Sequence, residues 1–94
     1  MFLAQVVGDG VSTHKNERLA GKRLLLVRRL SLAMQPEGTE TICLDVVDAG
    51  VGDSVLVVQE GSSARKLLGD DWIPVQAVVV GVLDRVDLHG IRVL

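Results

Sequence analysis

Aromatic residues are nearly missing from this chain: Phe2 and Trp72 are the only ones, 2% of the sequence, and there is no tyrosine. That scarcity counts against a nucleic-acid groove, which sets stacking rings along a basic channel. Cysteine is limited to Cys43. An intrachain disulfide is thereby excluded, which fits a reducing compartment, and the apolar run around Cys43 reads as the setting of a buried, inert thiol. His14, His89 and Cys43 lack the spacing of zinc ligands, and neither histidine has a serine or cysteine partner in a recognisable catalytic motif. Asp45, Asp48 and Asp53 lie close together, but the EF-hand spacing is absent, and turn or solvent roles fit them better. No segment approaches the ~18 consecutive apolar residues of a spanning helix. Met1–Val7 is apolar without a basic leading segment and reads as a first strand, not a signal peptide.

Hydrophobic residues, by contrast, are abundant. They make up 48% of 94 residues, with valine and leucine dominant, and mean hydropathy is +0.37. Residues 1–94 are expected to form one domain. A chain of this size buries only about 60–65% of the surface its unfolded form exposes. So much apolar surface needs cover from another subunit or partner. Net charge is −2, but residues 1–30 carry +4 and residues 31–94 carry −6. Either a basic patch meets an acidic neighbour in a cyclic assembly, or these are ordinary solvated faces.

Along the chain, residues 2–13 form a long strand, with Gly8 and Gly10 marking bends or bulges. A second strand covers 23–32, its first half buried on both sides and its second half exposed. Arg28 and Leu30 share one face, Val27 and Arg29 the other. Gln35–Glu40, with Pro36 and Gly38, reads as a hairpin loop. Thr41–Val47 is the third strand, with Ile42, Leu44 and Val46 on one face and Cys43, Asp45 and Val47 on the other. Ser54–Gln59 is the fourth. Ser62 or Ser63 caps a short helix, Ala64–Leu68, closed by Gly69. Residues 75–84 are the fifth strand, and Val78–Val80 implies cover on both faces. Asp87–Gly90 is a turn, and Ile91–Leu94 is an apolar tail whose open edge calls for a neighbour. The expected fold is all-β: a small five-stranded closed barrel, OB-like in size, with one short helix.

The densest pattern is Asp48-Ala49-Gly50-Val51-Gly52-Asp53 before the apolar strand, followed by Gly61-Ser62-Ser63-Ala64-Arg65. Glycines on both sides of Val51 permit positive φ at each. Gly50 and Gly52 do not form a dinucleotide fingerprint, since the third glycine and the long helix are missing. Together with Ala4-x-Val6-Val7-Gly8, Leu19-Ala20-Gly21-Lys22-Arg23 and Ala77-Val78-Val79-Val80-Gly81-Val82, this order of motifs resembles the pentameric vertex proteins of bacterial microcompartment shells. That family includes the carboxysome and ethanolamine-utilisation vertex proteins. The resemblance spans nearly the whole chain. Asp48 stands where the family often has glycine, Gln76 where aspartate is common, and Asp9 where a small or apolar residue is usual.

The resemblance implies a cyclic homopentamer that fills the five-fold corners of a polyhedral shell in the bacterial cytoplasm. Its partners would be copies of itself, hexagonal shell proteins and encapsulated enzymes. Neither nucleic acid, membrane, cofactor, metal nor catalysis is expected. Gly50 and Gly52 are expected to hold a turn, and Ser62, Ser63 and Arg65 to lie near a subunit contact. The alternatives are a small oligomeric β-barrel adaptor or a nucleic-acid-binding module, the latter resting on the basic first third of the chain.

Overall fold

Alternating apolar and polar positions close into a barrel in the computed structural model, which describes residues 1–11, 23–59 and 77–94. Its strands are β1 (Phe2–Val11), β2 (Arg23–Leu30), β3 (Pro36–Asp45), β4 (Ser54–Val58) and β5 (Val78–Val82), with a terminal pair β6 (Asp87–Leu88) and β7 (Ile91–Arg92). The barrel order is β1-β2-β3-β5-β4, closing back onto β1. Every neighbouring pair is antiparallel except β3–β5, where Leu44 lies opposite Val78 and Asp45 opposite Val79 in parallel. A parallel pair needs a long crossover, and β4 lies within it. The helix expected over Ala64–Leu68 and its capping serines fall outside the described residues, as do His14 and Trp72.

Period-two alternation fills the interior. Phe2, Ala4 and Val6 of β1, Leu25 and Val27 of β2, Cys43 of β3, Val55 and Val57 of β4 and Val79 of β5 form one buried cluster with Ala49 and Ala77. Side chains alone fill a barrel this small, so it is a packed core with no channel. Each fully buried valine or leucine contributes about 1.5–3 kcal/mol over an exposed one. Strand register slips between Val6 and Gly8, between Arg28 and Leu30, and between Leu56 and Val57. Such bulges sharpen the local bend, which helps five short strands close on themselves.

Along and just after β3, Ile42 and Val46 are exposed, Cys43 is buried and Val47 packs on the core, as alternation implies, but Leu44, expected on the face of Ile42 and Val46, is also buried at 1% exposure. Val78 and Val79 are fully buried, while Val80 is half-buried. Other expectations need correction. The β2–β3 hairpin is closed by Ser31–Gln35, not Gln35–Glu40. The Ser31 N–H donates to Gln35 O (2.8 Å) and the Met34 N–H to Ser31 O (2.9 Å). Pro36 opens β3, and Gly38 takes φ +87 where Arg28 pairs with Glu40 but Leu30 with Pro36. The proline and glycine thus serve a bulged strand start. Leu30 is buried opposite Leu3 and Pro36, not exposed. Leu26 is 36% exposed, so the first half of β2 is covered fully on its inner side only. The C-terminal tail pairs within the chain, Ile91 opposite Leu88, across a two-residue turn in which His89 and Gly90 both have positive φ (52° and 77°). Two successive positive φ values match the right-handed strand twist, as two-residue hairpins require.

Candidate assembly surface

The inward face of β2 reads Arg23, Leu25, Val27, Arg29, so an arginine sits at each end of the two buried side chains. At one mouth the Arg29 guanidinium lies 4.9 Å from the centre of the Phe2 ring. Phe2 is buried there, and the cation–π contact lids the core. The hollow beside it, between Phe2, Arg29, Leu32 and Glu37, holds about 260 Å³.

At the other mouth Arg23 gathers three carboxylates. It donates to Asp9 Oδ2 at 3.0 Å, to Asp45 Oδ2 at 3.2 Å and to Asp48 Oδ1 at 3.2 Å, and also to the Ala49 carbonyl. The hydrogen bond to Asp9, followed by the fields of Asp45, Asp9 and Asp48, raises the Arg23 pKa against the opposing effect of desolvation. Only the Asp45 side chain is enclosed, at 2% exposure against 47% for Asp9 and 98% for Asp48. Its other oxygen accepts the N–H groups of Val47 (3.1 Å) and Ala49 (3.3 Å), pinning the loop after β3. Asp9 and Asp48 are the two solvent-facing acids of the three. Both converge on one arginine, a link between residues 14 and 25 positions apart.

The glycine-punctuated stretch follows directly. The Asp53 N–H donates to Gly50 O (3.0 Å), and Gly52 at the third position has φ +96. A tight turn with positive φ at its third residue calls for glycine there. The Gly50 N–H is held by Asp53 Oδ2 (2.8 Å), and the turn is sewn to β1 by Gly52 N–H to Val6 O and Val6 N–H to Asp53 O, both 2.9 Å. Gly50 itself does not have positive φ; the second left-handed residue is Asp48, at φ 57. Asp45, Asp48 and Asp53 therefore serve an arginine and backbone N–H groups. Among the described residues no cluster of three metal-ligating side chains occurs. Ser62, Ser63 and Arg65 lie outside the described residues.

Burial pushes the Cys43 thiol up to about 11, which leaves it protonated and unreactive at neutral pH. His89 stands exposed on the terminal turn. What the barrel does present is apolar surface. Leu26 and Ile42 face each other on the outside of β2–β3, and Val7, Val11, Val46, Val82 and Ile91 are also exposed. Period-two alternation puts Ile42, Leu44 and Val46 on one face, where Ile42 and Val46 are exposed and Leu44 is covered. Alternation along single strands does not reveal the Arg23 cluster, whose members come from separate parts of the chain.

The described residues form a filled barrel with an arginine at each mouth and apolar side chains on its outer wall. The ethanolamine utilisation protein EutN/carboxysome family matches residues 1–84. The bacterial microcompartment shell vertex protein GrpN of Rhodospirillum rubrum is 44% identical over 87 residues, 93% of this chain and 97% of that protein. The carboxysome shell vertex protein CcmL of Synechocystis is 44% identical over 88 residues, 94% of this chain and 87% of that protein. The solved structure described as the GrpN pentameric microcompartment shell protein superposes with a TM-score of 0.81, at 42% identity over 94% of this chain and 99% of that one. CcmL of Gloeobacter violaceus superposes with a TM-score of 0.90 at 33% identity, over 100% of this chain and 96% of that one. The chain belongs to the EutN/CcmL family.

Proposed function

We propose that this chain is a structural vertex subunit of a bacterial microcompartment shell, a homopentamer that occupies the five-fold corners of the polyhedron and carries out no catalysis. The observation that carries this reading is the likeness to GrpN, described as pentameric, over almost the whole of both chains. The apolar outer wall supports it, because a ring gives each copy two neighbours to cover it. Relatives named as shell vertex proteins place the function in the shell, within the cytoplasm.

The mechanism is geometric. A flat layer of hexagonal tiles cannot close, and five-fold units supply the missing curvature. A head-to-tail interface forms a closed ring when the rotation per subunit divides the circle. In such a role the barrel must be rigid, and the sealed mouths and filled core suit that need. Residues 1–94 act as one domain in this reading, hexagonal shell proteins surround the ring, and encapsulated enzymes meet its inner side. Gly50, Gly52, Ser62, Ser63 and Arg65 contribute to the turn and the subunit contact; Arg65→Ala leaving the ring intact at micromolar protein would count against Arg65. An adaptor role or a nucleic-acid site gains no specific support: Phe2 is buried beneath Arg29, not free to stack on a base.

Co-expression with hexagonal shell proteins tests the function. Closed polyhedral shells with this chain, and open or elongated ones without it, are expected. Equal closure in both cases would contradict the proposal.

A further inference from the structure

Among the described residues, Arg29 is the one arginine that donates to no oxygen. Arg23 holds three carboxylates, Arg28 pairs with Glu40 at 2.9 Å, Arg85 pairs with Asp87 at 3.2 Å, and Arg92 donates to the Leu94 carbonyl at 2.6 Å. Arg29 lies instead on the Phe2 ring, 4.9 Å from its centre. Phe2 is 8% exposed and belongs to the core, so the ring is a fixed platform. Stacking uses one face of the planar guanidinium and leaves its N–H groups, which point along the plane, for another acceptor. Arg29 lines the hollow of about 260 Å³ at this mouth. Ser31 lines it too; its Oγ accepts the Gln35 N–H at 3.3 Å, so its own O–H remains as a second donor. Glu37 stands on the same wall, yet no ion pair joins it to Arg29. Phe2, Leu30 and Leu32 supply an apolar floor.

We infer that this hollow binds a small monocarboxylate with a short apolar body. The carboxylate meets Arg29, whose rigid planar fork matches two oxygens lying in one plane, and accepts the Ser31 O–H. The apolar body rests on Phe2, Leu30 and Leu32. A volume of about 260 Å³ falls below the range of roughly 300–1,000 Å³ typical of pockets for drug-sized ligands, so the occupant is a short chain. Glu37 selects among anions. Its charge on the wall opposes a doubly charged phosphate about twice as strongly as a singly charged carboxylate. All of these groups come from one chain, so the site stands independently of how copies assemble.

Titration of the full chain with butyrate, butyramide and inorganic phosphate, followed by nitrogen-resolved NMR at constant ionic strength and mildly alkaline pH, tests it. Butyrate should give saturable shifts centred on the Arg29 Nε–H and the Leu3, Leu30 and Leu32 amides. Butyramide has the same shape without the charge, and losing a charge-assisted hydrogen bond should weaken it at least about tenfold. Phosphate should also bind more weakly than butyrate, and Glu37→Gln should narrow that gap. Arg29→Met keeps an apolar cover over Phe2 but removes the donors, and should weaken butyrate at least about tenfold. Butyrate shifts that do not saturate, or that do not centre on the hollow, overturn the site. So does butyramide binding as tightly as butyrate, or Arg29→Met binding butyrate like wild type. Phosphate binding as tightly as butyrate in wild type, or a gap unchanged in Glu37→Gln, overturns the choice of a monocarboxylate. Should Arg29→Met lose the β-sheet signature in circular dichroism, the comparison of butyrate with butyramide on wild type decides.

Discussion

Alanine at Gly50 and alanine at Gly52 should move stability in opposite directions, although the two sites flank a single valine. Gly52 has φ +96, and a Cβ there meets no atom within 4 Å. Crowding therefore adds nothing, and the whole cost of Gly52→Ala is the backbone strain of an L-residue at positive φ, about 1–2 kcal/mol. Gly50 does not have positive φ, and its new methyl would sit 3.9 Å from Asp53 Oδ2, an ordinary contact. Gly50→Ala should stabilise by about 0.4–1 kcal/mol through the reduced freedom of the unfolded chain. Both variants share the unfolded-chain effect, so they should differ by the strain alone, about 1–2 kcal/mol, a Tm gap on the order of 10 °C for a domain of this size. Differential scanning calorimetry at one fixed protein concentration is the assay, because assembly makes Tm concentration-dependent. A Gly52→Ala protein as stable as Gly50→Ala would refute the turn geometry.

Asp48 takes φ 57 and holds a nearly fully exposed side chain on Arg23, so Asp48→Gly should match or exceed wild type in Tm, whereas Asp48→Val should fall below it. Arg23→Met removes the cation that Asp45 shares with Asp9 and Asp48; its Tm should drop further than that of Asp48→Ala, because Asp45 is left enclosed at 2% exposure. Equal drops would show that Asp45 does not depend on Arg23. Leu25→Ala should cost about 2–5 kcal/mol in chemical denaturation, since Leu25 is fully buried in the barrel. Burial raises the Cys43 thiol from 9.0 to about 11, so the folded state holds its proton where the unfolded chain releases it. That contribution to stability is complete below pH 9 and is lost as pH rises toward 11. Cys43→Ala should flatten this alkaline decline, and in wild type a thiol reagent at pH 8 should react only after unfolding.

The barrel was legible because Ile42 and Val46 alternate with Cys43 and Val47 and because Val78 and Val79 are buried on the two faces of β5; Leu44 departs from the pattern, fully buried although it shares the face of Ile42. The hairpin was misplaced because Pro36 and Gly38 carry the strongest local turn signals. The chain instead turns at Ser31–Gln35 and uses them for a bulged strand start. The tail looked like an open edge because pairing of Ile91 with Leu88 depends on positive φ at His89, a residue whose type does not announce it. The Arg23 cluster was out of reach for a different reason. Asp9, Arg23, Asp45 and Asp48 meet only after β1, β2 and β3 have paired, and charge counts along the chain do not locate such a meeting.

The whole account turns on self-assembly about a five-fold axis, and sedimentation of the purified chain at low micromolar concentration tests it most directly. The account predicts a dominant species at five times the 10.1 kDa chain mass that persists on dilution. A folded, stable monomer, or a closed ring of any other number, would contradict it.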